Sequence, residues 1–179
     1  MHLEHSALEA GLDEIRHAPP NDGKVELIVR RPAEDARETL TEGRLDPAAG
    51  LVGDVWSSDD PDPARQVTVM NARAIALLAG SRERWPLAGD QLYVDLDLSG
   101  DNVPPGTRLE VGSAVLEVSV EPHRGCKKFA ARYGLDALRF VNSDVGYALN
   151  LRGINTRVVR AGVVRAGDVI RKVPPPPVG

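Results

Sequence analysis

The feature that most constrains the fold is a succession of short strand-like runs, each ended by a turn. Gln91–Leu98, QLYVDLDL, alternates throughout. Leu92, Val94, Leu96 and Leu98 share one face and Tyr93, Asp95 and Asp97 the other, the period of a half-buried strand. Thr107–Val111 and Ala114–Val120 flank Gly112-Ser113 and read as a hairpin whose second strand buries Leu116, Val118 and Val120. Lys24–Arg30, with Val25, Leu27 and Val29 alternating, and Gln66–Met70 have the β-branched content of further strands. Tyr147–Leu151, Arg157–Val159 and Val169–Val173 read as closing strands, with turns at Ala161-Gly162 and Gly167-Asp168.

Helical signals are short. Residues 3–17 place Leu3, Leu8, Leu12 and Ile15 near one face, and Pro19-Pro20 ends that run. Asn71 caps ARAIALLA, which Gly80 closes. Two more helices are expected at Lys127–Tyr133 and Asp136–Val141. Residues 31–66, rich in Pro, Asp, Glu and Gly, read as long surface connections, with SSDDPDPAR an exposed loop. Nowhere does a long helix alternate with strands, as a doubly wound parallel sheet requires. The expected fold is therefore mainly β: a barrel-like, mostly antiparallel domain with a few short helices. A chain of 179 residues suits one domain. Its expected organisation is an N-terminal helical extension over 1–23, a single barrel-like domain over 24–173 and an extended Pro-rich tail over 174–179.

Charge and cysteine content narrow the functional classes. The net charge of −4 hides a division: residues 1–120 carry 22 acidic and 11 basic side chains, residues 121–172 carry 4 and 11. Either folding mixes the two signs, or the C-terminal segment holds an anionic ligand. The chain as a whole is acidic, has no Lys/Arg-dense block and has few aromatics for base stacking, so no nucleic acid partner is expected. A single cysteine forms no internal disulfide and fits a reducing compartment. The charged N-terminus lacks a signal-peptide core, and no apolar run approaches the ~20 residues of a membrane helix. The expectation is a soluble, cytoplasmic protein with no membrane partner.

That one cysteine, Cys126, lies in EPHRGCKKF, the most basic short stretch of the chain. Pro122 stops the preceding strand, and Gly125 lets the backbone turn. A helix over Lys127–Tyr133 puts Cys126 at its N-terminus, where partial positive charge favours thiolate. Arg124, Lys127 and Lys128 act in the same direction. The expected group is an accessible thiolate, the form that attacks electrophiles and binds soft metals; the plain alternative is a buried, inert cysteine.

The segment LEVSVEPHRGCKKFAARYGL resembles the signature region of MOSC domains, the family named for the C-terminal domain of molybdenum cofactor sulfurase. LDPAAGLVGDVW is similar to the family's Gly-x-x-Gly-Asp segment, GSAVLEVS to the strand before its cysteine, and RGINTRVVRAGVVRAGDVIRKV to its closing stretch. The likeness runs from about residue 45 to 173 and implies a β-barrel-like fold associated with the molybdenum cofactor (molybdopterin). It also implies that Cys126 either carries sulfur or ligates molybdenum, in the latter case supporting reduction of N-hydroxylated compounds. The departures lie at the presumed pocket: Lys127 replaces an aromatic, RQVTVMN occupies the place of a His-Gly-Gly stretch, and GINTRV that of a Gly-Trp-Tyr.

The candidate site thus centres on Cys126, as the catalytic and metal-binding residue. His123 is a candidate for orienting a ligand or moving a proton, and Arg124, with its planar fork, for holding an anion. Lys127 adds charge beside the thiol, and Arg152, Asn155 and Arg157 of RGINTR form a second polar cluster suited to a phosphate if that loop lies over the barrel mouth. The paired Asp95 and Asp97 read as the outer face of an edge strand, and His2, His5 and His17 as incidental. No haem or iron–sulfur pattern is present, so a reductase would need a separate electron donor, and a sulfur carrier a sulfur-donating protein. The alternative is a non-enzymatic module that binds an anionic small molecule or a protein partner.

Overall fold

The computed structural model describes residues 2–58, 61–174 and 177–178. The middle of the SSDDPDPAR loop and much of the Pro-rich tail fall outside them. Two short helices, α1 (His5–Ala10) and α2 (Leu12–Arg16), meet at Gly11 where one helix was expected. Next come β1 (Gly23–Arg30), β2 (Glu38–Leu40), β3 (Glu42–Asp46) and β4 (Gly50–Leu51), then 3-10 turns at Val55–Ser58 and Pro63–Arg65. Residues 31–66 are therefore not bare connections. Further along lie β5 (Val67–Asn71), α3 (Ala72–Ala79), a 3-10 segment (Arg82–Ala88), β6 (Leu92–Asp95), β7 (Arg108–Val111) and β8 (Ala114–Val118). The chain ends in α4 (Lys127–Tyr133), α5 (Leu135–Val141), α6 (Asp144–Ala148), β9 (Ile154–Arg160), β10 (Gly162–Arg165) and β11 (Val169–Val173).

Seven strands close a mixed barrel in the order β1-β11-β7-β8-β9-β5-β6 and back to β1. Every pairing is antiparallel except β5–β6. Closure removes the free edges that an open sheet would leave. The strand β2 shares an edge of β1 with β11, and β10-β3-β4 form a second small sheet whose Leu45, Leu51 and Val164 enter the barrel interior.

Both faces of much of the barrel wall are buried. Val69, Leu92, Val94, Leu116 and Ile170 fill the interior, while Leu27, Val29, Met70 and Tyr93 face outward beneath α1, α3, α4 and α5. This corrects the half-buried reading of QLYVDLDL: Tyr93 is fully buried, its hydroxyl donating to the Trp85 carbonyl at 2.9 Å. It also corrects the edge-strand reading of Asp95, since β6 lies between β5 and β1 and Asp95 pairs with Arg73 at 2.8 Å. In β1 a bulge between Val25 and Leu27 breaks the simple alternation, so Val25 and Ile28 point in and Leu27 and Val29 out.

Two other expectations fail for local reasons. Tyr147–Leu151 is not a strand. The Ser143 hydroxyl accepts from the Gly146 amide to start α6, and Asn150, at φ 49°, ends the helical course. Val120 is not core: β8 stops at Val118, and Val120 is 83% exposed. The Asn71 cap of α3 stands as read, its side chain accepting from the Arg73 and Ala74 amides.

Candidate functional site

The segment between β8 and α4 is tied down at both ends. The Ser119 amide donates to the Asn155 carbonyl at 2.9 Å, and the Asn155 side-chain amide donates to the Glu121 carbonyl at 3.1 Å. Farther on, the Asn142 side chain grips Gly125 on both backbone groups, accepting from its amide at 2.9 Å and donating to its carbonyl at 3.0 Å. Gly125 is not in the left-handed region. Its role is close approach, because a Cβ there would stand 2.8 Å from Leu138 Cδ1 and 2.9 Å from Val141 Cγ2 of α5. Cys126 follows in an extended conformation as the N-cap of α4, and its thiol is exposed. The one-turn spacing of Phe129 and Tyr133 seats α4 against the outer core, the two rings 4.9 Å apart.

Cys126 opens onto a cavity of about 740 Å³. Pro122, His123 and Arg124 line it from the same segment, Lys128 from α4, and Thr68 and Asn155 from β5 and β9. The far wall is Arg31, Ala33, Glu34, Asp35 and Arg37 from the connection after β1, with Val55, Trp56 and Arg65 from the 3-10 turns. This volume is in the range that takes a small molecule or cofactor.

The cations of this wall differ in what already holds them. Arg31 binds the buried Asp54 with both its Nε (3.1 Å) and Nη2 (2.6 Å). Burial pushes the Asp54 carboxyl up, but the Arg31 hydrogen bonds and charge, with the Arg31 and Trp56 amides, outweigh it and leave the carboxyl below its ordinary range. Arg65 pairs with Glu121 and Asp62, and Lys128 pairs with Glu34 at 3.4 Å in an exposed contact. Arg37 donates only to the Pro86 and Ala36 carbonyls, and Arg124 lies over the Tyr147 ring, 3.6 Å from its centre. Among the described residues, Arg37 and Arg124 thus line the cavity with no carboxylate partner. Burial, then the charges of Arg132 and Arg31, hold the Arg37 guanidinium below its ordinary value. An anion is the partner it lacks.

Beneath the cavity lies a buried polar cluster in which His123 and Arg152, both candidates from the sequence, meet Asp90, which sequence reading missed. Asp90 is fully buried; its Oδ2 accepts from Arg152 Nη1 at 2.6 Å, and Arg152 Nη2 donates to the Ala88 carbonyl at 2.8 Å. Arg152 also stands over the Phe129 ring at 5.1 Å. His123 is half-buried rather than an exposed turn residue, and its Nδ1 lies 3.5 Å from Asp90 Oδ1. Burial, joined by the charges of Arg152, Arg31 and Arg65, outweighs the pull of Asp90 and lowers the His123 pKa to about 3.

The candidates read from sequence separate accordingly. Cys126, His123, Arg124 and Asn155 meet at the cavity. Lys127 is exposed on α4 and does not line it. Arg152 is directed into the Asp90 pair, and Arg157 lies on β9 against Glu117 at 2.8 Å. RGINTR is therefore not a loop over a barrel mouth: most of it is the start of β9. The residues that complete the cavity, Arg31, Arg37, Trp56 and Arg65, come from the stretch read as surface connection. The only local signal of that wall is its recurrence of arginines. Among the described residues no group of His, Cys, Asp and Glu could by itself hold a metal ion, and no helix is long and apolar enough to cross a membrane.

Comparison with known proteins agrees with this architecture. A family profile described as MOSC domain matches residues 62–171. No curated protein matches the chain. Among solved structures, the YuaD protein from Bacillus subtilis superposes with a TM-score of 0.61 at 19% identity, covering 83% of this chain and 93% of that one. YiiM from Escherichia coli gives a TM-score of 0.57 at 22% identity, covering 85% and 70% respectively. YiiM from Geobacillus stearothermophilus gives 0.58 at 17% identity, covering 85% and 75%. At these identities the likeness shows a shared fold.

Proposed function

Because the chain belongs to the MOSC domain family, we propose that it binds the molybdenum cofactor, or carries sulfur, through the Cys126 thiolate. The observation that carries this reading is the exposed thiol on a cavity of about 740 Å³ that also holds Arg37 and Arg124, which have no carboxylate partner among the described residues. A soft sulfur ligand beside unpartnered guanidinium groups is a donor set suited to a metal borne on an anionic organic group. The residues present therefore fit that cofactor. Cys126 would hold the metal, Arg124 and Arg37 the anionic groups, and the Trp56 ring would wall the planar part. When bound, the cofactor would supply two-electron redox chemistry, and reduction of an N-hydroxylated compound would draw on a separate electron-donating protein.

This chain's own residues have simpler tasks. Arg124 is held flat by Tyr147, so its charge stays beside the thiol. Asn142 fixes Gly125 and with it the start of α4, so Cys126 meets the cavity at a set position. The neutral imidazole of His123 adds no positive charge beneath the ligand. The sulfur-carrying variant needs only that the Cys126 thiolate attack the outer sulfur of a donor protein's persulfide, so that Cys126 becomes the persulfide as the donor S–S bond breaks and the donor cysteine leaves as thiolate, and that Cys126 present the new S–SH group to the cavity.

Protein purified from a host that makes molybdenum cofactor should contain molybdenum, and Cys126→Ala should lose it. Metal-free protein whose Cys126 also fails to accept persulfide sulfur would overturn the proposal. A second reading, a non-enzymatic module for an anionic small molecule, is favoured by the commitment of Arg152 and Arg157 to internal ion pairs. A Cys126 thiol pKa near the ordinary ~8.5 supports the module, and a value well below it supports chemistry at sulfur.

A further inference from the structure

Among the described residues, four buried side-chain atoms lack a hydrogen-bond partner, and three belong to one cluster: Asp90 Oδ1, His123 Nδ1 and Arg152 Nε. Two of these face each other across 3.5 Å. That is longer than a hydrogen bond, and closing it by about 0.5 Å would give one of ordinary length. Catalytic and binding contacts are often long before the ligand arrives and tighten afterwards. Asp90 itself is held fast, because Arg152 grips its other oxygen at 2.6 Å and is anchored to the Ala88 carbonyl. Gly153, at φ 110°, passes close to the pair; a Cβ there would lie 3.4 Å from both Asp90 Oδ1 and His123 Nδ1.

A carboxylate opposite one ring nitrogen fixes which nitrogen carries the proton. Asp90 Oδ1 opposite Nδ1 favours the tautomer with its proton on Nδ1, which would leave Nε2 its lone pair. Nε2 makes no hydrogen bond among the described residues, and His123 lines the cavity.

We propose that His123 is the specificity-determining hydrogen-bond acceptor of the cavity, fixed as the Nδ1–H tautomer by Asp90 and Arg152, and that it selects an anion bearing its own O–H or N–H donor. Asp90 and Arg152 are positioning residues in this arrangement. The guanidinium groups of Arg37 and Arg124 satisfy the ligand's acceptor oxygens; the imidazole nitrogen is the complement to its donor. An anion with no proton would turn an oxygen lone pair toward Nε2, leaving an acceptor opposed to an acceptor. The weak basicity of His123 suits this role, since a poor base accepts the hydrogen bond and leaves the proton on the ligand. The inference rests on the anion-binding part of the reading above and not on its metal chemistry.

The test uses the full chain, labelled with ¹⁵N at histidine, and two inorganic probes of similar shape. Hydrogen phosphate carries an O–H, and sulfate carries none. At pH 7 the His123 ring should show a protonated Nδ1 and an unprotonated Nε2. Phosphate should shift the Nε2 resonance and bind about tenfold more tightly than sulfate, the value of one hydrogen bond in a partly desolvated site. His123→Leu should abolish that preference. Asp90→Asn, whose amide can donate to Nδ1, should move the proton to Nε2, a change that a purely structural role for Asp90 would not produce. A wild-type ring protonated at Nε2, or equal response to the two anions, or response to neither, overturns the proposal. The wild-type measurement stands even if the Asp90 variant fails to fold. Molybdenum-free protein that shows the tautomer and the preference would sink the cofactor reading and leave this one; molybdenum-loaded protein without them would do the reverse.

Discussion

At the scale of single residues, His123 links the site to stability. Its pKa falls from 6.5 to about 3 on folding, because burial and the charges of Arg152, Arg31 and Arg65 oppose the imidazolium. Between those values the unfolded chain binds a proton that the folded chain does not, so stability rises with pH through that window. The contribution is fully present above pH 6.5 and is lost as pH falls toward 3; a shift of this size is worth about 5 kcal/mol. The urea midpoint of the wild type should therefore drop between pH 7 and pH 4.5, and His123→Gln should flatten that slope. Equal slopes in the two proteins would show that His123 is solvated. Asp54 works at more acid pH. Its carboxyl is lowered on folding, so its contribution is present above the unfolded value of ~3.9 and is lost only as pH falls through the folded value. Above about pH 4 only the His123 loss is in play, below it the two overlap, and a histidine variant isolates the first.

At the scale of elements, local signals were legible and long-range ones were not. The Asn71 cap, the start of α4 after Cys126 and the run of β11 follow from side chains within a turn of the element they define. The fate of Arg152 does not, because its partner Asp90 lies 62 residues earlier and nothing near either residue announces the pair. The far wall of the cavity was hidden for the same reason: Arg31, Arg37 and Trp56 reach it only once the barrel has closed. QLYVDLDL looked half-exposed because alternation cannot reveal that a layer of helices covers the second face. Gly153 lies at such a long-range junction, leading into β9 at φ 110°, where a Cβ would fall 2.6 Å from the Val69 carbonyl oxygen. A fixed backbone atom cannot move aside as a side-chain tip can. Gly153→Ala should cost about 1–3 kcal/mol from the left-handed strain alone, with the clash in addition. It should also disturb the His123 ring resonances, since the new methyl group would touch the Asp90–His123 gap. A variant as stable as the wild type in urea would mean that the approach to β9 relaxes freely.

At the scale of the whole molecule, the barrel is a ring with one weak joint. The seam between β1 and β11 registers only Gly23 with Ile170 and Lys24 with Val169, whereas β8 pairs with β9 through Val115, Leu116, Glu117 and Val118. The Val25 amide and carbonyl extend the joint slightly, bonding the Asp168 carbonyl and the Gly167 amide. The seam also pairs strands farther apart in sequence than any other, Gly23 with Ile170, so its loop-closure entropy is the largest of any strand pair and is repaid by few contacts. Strand pairs made of neighbours in sequence, such as β7–β8, do not carry that cost. The seam should then form after the transition state for folding, while the β7–β8 hairpin forms before or within it. Ile170 is fully buried at the joint, and Ile170→Val should cost about 1 kcal/mol. If the seam closes late, that loss will appear almost wholly as faster unfolding, with the refolding rate little changed. A conservative truncation at the equally buried Leu116 should instead slow refolding. Stopped-flow chevrons of the two variants distinguish the cases, and a slowed refolding limb for Ile170→Val would place barrel closure inside the nucleus.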